Sequence, residues 1–204
     1  MSTSPRVRMA PDSRRAQLLE LGVALLATRP LEELSIDLLA EEAGISRGLL
    51  YHYFGNKADF HEAVVRRAVQ DLLEVTAPVD HPDVLVRLSV SLANYLSYVE
   101  TNRLAYVSIV RAAGGHNDAM REIYESARDS LTDRIFESAT AAELAEHGVV
   151  DSPGVRLLVR GWSAMVEQVV LDWIEEPHGV DRQALLDSLT ASLAQVLAVA
   201  PPSE

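Results

Sequence analysis

Residues Ser35 to Lys57 read SIDLLAEEAGISRGLLYHYFGNK, and the pattern inside them decides the fold. Ser35 has the side chain to cap a helix that begins at Ile36, accepting a bond from an orphan backbone N–H. Ile36, Leu39, Ala40 and Ala43 then fall at i, i+3, i+4 and i+7, one apolar face of a short helix. Gly44 stands just past it, where a left-handed residue ends a helix without a Cβ clash. Ser46 caps a second helix starting at Arg47, with Leu50 and Phe54 turned inward and Arg47, Leu49, His52 and Tyr53 turned outward. Gly55 stops that helix, and Asn56, with Asp59 three residues on, opens the next. Two short helices around a Gly turn, the second showing polar and aromatic groups, form a helix-turn-helix, which lays one helix in the major groove of DNA. An ordinary helical corner would not gather Arg, His and two Tyr on a single turn of a short buried helix.

The side chains on that second helix suit the groove. An Arg can bond both acceptors of a guanine at once, a contact worth about 1–3 kcal/mol of discrimination, so Arg47 is the expected reader of sequence. Gly48 carries no side chain and allows close approach to the groove floor. Tyr hydroxyls and the Lys57 ammonium bond phosphate oxygens, which fixes register without reading bases. The Tyr51 ring is also expected to help close the small core, with its hydroxyl left outside.

The run Ala43-Gly44-Ile45-Ser46 through Leu50-Tyr51-His52-Tyr53-Phe54 to Lys57, preceded by an amphipathic helix and followed by a long one, resembles the N-terminal DNA-binding domain of the TetR family of bacterial transcriptional regulators. The resemblance covers about Ser13 to Leu73; past residue 75 it is architectural only, an all-helical region that in the family binds a small molecule and dimerises. By this resemblance Arg47, Gly48 and Leu49 form the turn that faces base edges, Tyr51 and Tyr53 reach phosphates and bases with His52 between them, and Lys57 contacts the backbone. Ser46 caps the recognition helix, and Ser35 caps a helix whose N-terminus faces a phosphate. Leu49 stands where many relatives carry a small hydroxyl residue, so it contacts a thymine methyl or merely flanks the groove; Tyr53 replaces a common His.

The net charge of −12 looks wrong for a DNA binder until it is divided along the chain. Met1 to Lys57 holds seven basic and seven acidic residues, while the remaining 147 residues hold eleven basic and twenty-three acidic. Exposed charges are largely screened beyond a Debye length of about 8 Å at physiological salt, so the local face matters more than the total. Arg6, Arg8, Arg14, Arg15, Arg47 and Lys57 can lie near phosphates, and the acidic body contributes solubility. With no cysteine, disulfides and thiolate metal sites are excluded. No apolar run approaches the ~20 residues that cross a bilayer, and the N-terminus has no apolar core behind its Arg pair, so a cytoplasmic protein without membrane contact is expected.

The pattern predicts an all-α chain: an N-terminal three-helix helix-turn-helix domain followed by a helical ligand-binding and dimerisation domain. Its expected parts are a disordered N-terminal arm at 1–11, the DNA-binding head at 12–57, a connecting helix at 58–76 and the body at 77–204. The connecting helix has the phase Phe60, Val64, Ala68 and Leu72, so it belongs to both regions and is a natural lever between them. Further helices are expected at about 83–100, 103–113, 117–146, 153–175 and 181–199. The last two are the most apolar, and helices apolar on nearly all sides call for burial on nearly all sides. A homodimer through these two helices is the expected solution, and a two-fold dimer matches a palindromic operator.

Tyr95, Tyr98, Tyr106, Met120, Tyr124, Phe136, Trp162 and Met165 are expected around a largely apolar cavity, with Arg111, His116 and Glu167 as polar anchors for a hydrophobic, aromatic or acyl-bearing effector. A competing reading keeps the DNA head but makes the body a protein-recruiting surface with no cavity. An enzyme finds little support and no cofactor is implied: no Gly-rich phosphate loop, nucleophile motif or metal-ligand spacing is present. His61-Glu62 opens like a zinc-protease motif but lacks its second His, and Glu143 with His147 reads as a surface pair.

Overall fold

The computed structural model describes residues 11–198, all of whose regular structure is helical. The helices are α1 (Pro11–Leu26), α2 (Ile36–Ala43), α3 (Arg47–Phe54), α4 (Lys57–Val75), α5 (Val84–Thr101), α6 (Arg103–Ala113), α7 (Asp118–Glu137), α8 (Ala141–Glu146), α9 (Pro153–Glu175) and α10 (Arg182–Ala198), with a 3-10 turn at Leu31–Glu33. Arg6, Arg8 and the expected arm lie outside the described residues, as does Val199.

The expected caps form. Ser35 Oγ accepts from Leu38 N at 3.0 Å, Ser46 Oγ from Leu49 N at 3.3 Å, and Asn56 Oδ1 from Asp59 N at 3.0 Å. Gly44 closes α2 in the left-handed region at φ 62°. One expected helix is in fact two: the 117–146 stretch breaks at Ser138–Thr140. There Thr140 and Glu143 form a reciprocal capping box, the Thr-x-x-Glu signature of a new helix start, so α8 begins afresh.

Two cores meet along α4. The head core contains Leu18, Leu26, Leu39, Leu50, Phe54, Phe60 and Val64, and it also takes in Ala105, Met120 and Ile123 from α6 and α7. The body core contains Leu72, Leu96, Val99, Val159, Trp162, Val170 and the buried leucines of α10. Phe60, Val64, Ala68 and Leu72 are all buried, so one rigid helix serves the head with its first half and the body with its second. The α1–α4 crossing is close because Gly22 lies at it: a Cβ there would stand 2.7 Å from Val64 Cγ2. Arg67 on α4 pairs with Glu20 of α1 at 2.7 Å and with Asp71 at 2.7 Å, clipping the two helices on their outer side.

Candidate functional site

The outer face of α3 is formed by residues the sequence singled out. Arg47, Gly48, Leu49, Tyr51 and His52 are exposed, while Leu50 and Phe54 hold the helix to the head core. Tyr51 is 51% exposed, so the expectation that its ring closes the core is corrected. Tyr53 takes that place instead, half-buried against the head core and edge-on to His52 with ring centroids 5.8 Å apart. The reason is helical phase: Tyr53 sits three residues after Leu50 and beside Phe54, whereas Tyr51 points a quarter-turn away. A Cβ at Gly48 would meet nothing within 4 Å, so the gap its hydrogen leaves faces outward.

Arg47 Nε pairs with Asp37 Oδ1 at 2.7 Å, both side chains mostly exposed. An exposed ion pair contributes only about 0–1 kcal/mol, so exchanging it for a guanine is inexpensive. Lys57 Nζ donates to the Glu32 carbonyl at 3.0 Å while remaining exposed, at the edge of the same surface. Its neighbour His61 bonds the Leu34 carbonyl at 2.7 Å, and burial pushes its imidazole pKa down, which favours the neutral ring. His61 thus ties α4 to the segment leading into α2. Of the basic residues expected near phosphates, Arg15 lies over the Phe54 ring at 5.4 Å and Arg14 bonds Gln17 Oε1 at 3.2 Å.

Lys57→Ala is expected to weaken binding to all duplexes about equally and to make the salt slope shallower by about 0.9, the value of one phosphate contact. A titration over several salt concentrations reads both.

Among the described residues, two adjoining cavities lie within the body, besides an open hollow at Val75, Asn94 and Thr101. The larger, about 110 Å³, lies between α5, α7 and α9 and is lined by Arg87, Leu92, Tyr95, Arg134, Ile135 and Trp162 among others. The smaller, about 40 Å³, lies against α4 and includes Tyr98, Tyr106, Tyr124, Arg128 and Glu167 in its wall. Tyr95 of the first bonds Tyr106 of the second, hydroxyl to hydroxyl, at 2.9 Å. Tyr106 Oη donates to Glu167 Oε2 at 3.0 Å, and Tyr124 Oη donates to Glu167 Oε1. Burial raises the pKa of all three phenols, so they stay protonated: Tyr106 and Tyr124 donate to the carboxylate, and Tyr95 donates to the Tyr106 hydroxyl. Tyr98 Oη, its pKa pushed by burial to about 12, donates to the Ala68 carbonyl of α4 at 2.9 Å.

Five of the eight cavity residues proposed from sequence therefore gather: Tyr95 and Trp162 at the larger cavity, Tyr98, Tyr106 and Tyr124 at the smaller. Glu167 joins them as an anchor. The others do not. Met120 is buried in the head core, Met165 is 41% exposed on the outer side of α9, and Arg111 is exposed on α6. His116 is exposed in the turn before α7, and Phe136 is packed in the body core under Arg156 at 4.8 Å. Sequence reasoning missed Arg87 and Arg134, whose signal is a charged residue in the apolar phase of its helix: Arg87 is in register with Val84, Ser91 and Tyr95, and Arg134 with Leu131 and Ser138. Glu143 is no partner of His147. The Thr140 backbone N–H and then Arg87 hold its carboxyl down at about 2.

A capped recognition helix on a small head, joined through one long helix to a hollow helical body, defines a one-component regulator in which one chain carries both a DNA face and an internal cavity. Residues 18–64 match the family described as bacterial regulatory proteins, tetR family, and residues 85–196 match the tetracyclin repressor-like C-terminal domain. The chain belongs to the TetR family: it is a DNA-binding transcriptional regulator and not an enzyme. It is similar to the HTH-type transcriptional regulator BetI of Vibrio campbellii, 22% identical over 187 residues that cover 88% of this chain and 89% of the relative. Over 61 residues it is 39% identical to the HTH-type transcriptional repressor KstR2 of Mycobacterium tuberculosis, covering 30% of each chain. Among solved structures, a tetR-family transcriptional regulator from Streptomyces coelicolor superposes with a TM-score of 0.77 at 27% identity, covering 94% of this chain and 83% of that one. No described helix is long and apolar enough to cross a membrane.

Proposed function

We propose that the protein is a cytoplasmic repressor that binds a palindromic operator as a homodimer and leaves it when a small hydrophobic effector enters the body. The observation that carries this reading is the pairing of an exposed recognition helix with a body cavity bonded to α4, the helix that also fills the head core. The cavity also favours an effector over a body that only recruits another protein. On this reading Arg47, Gly48 and Leu49 face base edges. Ser35, Ser46, Tyr51, His52, Tyr53 and Lys57 hold the phosphates, with the two serines acting through the helix N-termini they cap. Effector binding shifts the population toward a form whose two recognition helices no longer match the half-site spacing of roughly 34–36 Å.

The dimer face is the outer side of α9 and α10. Their inner sides fill the protomer's own core more completely than the sequence led one to expect, since Val155, Val159, Trp162, Val166 and the α10 leucines are buried within one chain. What remains outside is Leu157 at 67% exposure and Met165, with small residues at Gly161, Ala184 and Ala191 that permit close approach. Leu157→Glu is expected to convert the dimer to a monomer in sedimentation and to abolish two-protomer complexes on a palindromic duplex, while leaving the melting curve of the protomer cooperative. A variant that still sediments as wild type would place the interface elsewhere.

A further inference from the structure

The larger cavity has an uneven charge. Two guanidiniums, Arg87 and Arg134, lie in its wall. Arg87 is nine-tenths buried and is paired with Glu143 at 3.0 Å, while its Nη1 bonds the His81 carbonyl. Its Nε is buried and bonds nothing among the described residues. Arg134 has no carboxylate within ion-pairing distance among the described residues. The rest of the wall is mostly apolar: Leu88, Leu92, Leu131, Ile135 and Trp162. The half-buried Arg134 charge without a counter-ion, beside an apolar chamber, favours an anion with an apolar body.

What Arg134 bonds instead is informative. Its Nη1 donates to the Leu73 carbonyl, in the last turn of α4. The final carbonyls of a helix have no intrahelical donor and carry its negative end, so a cation there caps it. At this end Leu72 O receives Thr76 N and Thr76 Oγ1, Glu74 O receives Ala77 N, and Leu73 O receives Arg134. The side chain that faces the cavity therefore also secures the end of the helix whose other end is in the DNA head.

We propose that the larger cavity takes a small apolar monocarboxylate, that Arg134 holds its anionic group, and that engaging it draws Arg134 off the end of α4. The proposal rests on the reading of the body as an effector site, and it names both the chemical class of the effector and the side chain through which its arrival reaches α4. Carboxylate binding trades the Leu73 carbonyl for a stronger, charge-assisted partner, and the last turn of α4 loosens as its donor leaves.

The test is calorimetric titration of the full-length protein with the straight-chain carboxylates from butyrate to decanoate and with the alcohols and amines of matching length. At least one carboxylate is expected to bind while its alcohol and amine do not. Arg134→Gln is expected to bind that carboxylate roughly tenfold or more weakly, with Arg134→Lys in between, as loss of one charge-assisted bond implies. Melting curves of both variants confirm that they fold, and the lysine variant answers the case in which the glutamine variant does not. Amide exchange at Thr76 and Ala77 is expected to quicken when the carboxylate binds wild type. An alcohol or amine that binds as well as its carboxylate, absence of binding across the carboxylate series, undiminished binding by Arg134→Gln, or unchanged exchange at Thr76 and Ala77 would each overturn the proposal. These readouts need no DNA. A protein that binds carboxylate but no operator would instead count against the regulatory reading alone.

Discussion

Phe60→Ala is expected to unfold the DNA-binding head while leaving the body folded. Phe60 is fully buried at the point where α1, α3 and α4 converge, with its ring 5.2 Å from that of Phe54 and 5.9 Å from that of His61. A Cβ on Gly22 would lie 3.4 Å from its Cε2, so α1 is packed directly on the ring. Removing it leaves a cavity shared by three helices, and Phe-to-Ala changes in such positions cost about 3–5 kcal/mol. The head is small and has little core to spare. Leu72, Trp162 and the α10 leucines belong to a separate core and lose nothing directly. Amide exchange should show α2 and α3 losing protection while α9 and α10 retain it, and operator binding should disappear with the head. A variant whose α3 amides exchange as slowly as wild type would contradict the packing described.

The second large effect is on sequence reading. Arg47→Ala is expected to lower affinity for the preferred duplex by roughly 5- to 150-fold per half-site, the equivalent of about 1–3 kcal/mol for a bidentate guanine contact. Binding to unrelated duplexes should change much less, because non-specific affinity comes from phosphates. Arg47 is available for this role: it is exposed, and its guanidinium is ion-paired with Asp37, itself exposed. The comparison with Lys57→Ala separates the two kinds of contact, since the lysine variant lowers affinity for every duplex and the arginine variant flattens the preference among them. Equal losses on preferred and unrelated duplexes would remove Arg47 from the base-reading set.

The head was legible because its signals are local. Ser35, Gly44, Ser46, Gly55 and Asn56 mark helix ends by their own backbone and side-chain chemistry, and the apolar phase of Ile36, Leu39, Leu50 and Phe54 agrees with every one of them. Features that depart from the simple pattern follow either a further local rule or a long-range contact. The break between α7 and α8 was written in the capping box of Thr140 and Glu143. The exchange of Tyr51 and Tyr53 between surface and core follows from the phase of a helix only eight residues long. The cavity was harder to see because it lies between helices distant in sequence. Met120 and Met165 have the chemistry of a cavity wall, yet one faces the head and the other faces outward, and nothing in their neighbours along the chain distinguishes them from Trp162. Arg87 and Arg134 were legible in principle, since a charged residue in an apolar phase must find a partner or face a cavity.

The measurement that bears most directly on the proposed function is selection of duplexes from a random pool by the purified full-length protein, followed by sequencing of the bound fraction. An enriched palindrome is expected, with half-sites about one DNA turn apart, bound by two protomers and lost with Arg47→Ala. An enriched site without two-fold symmetry, or no enrichment by protein shown to be folded and free of carried-over ligand, would contradict a dimeric operator-reading regulator.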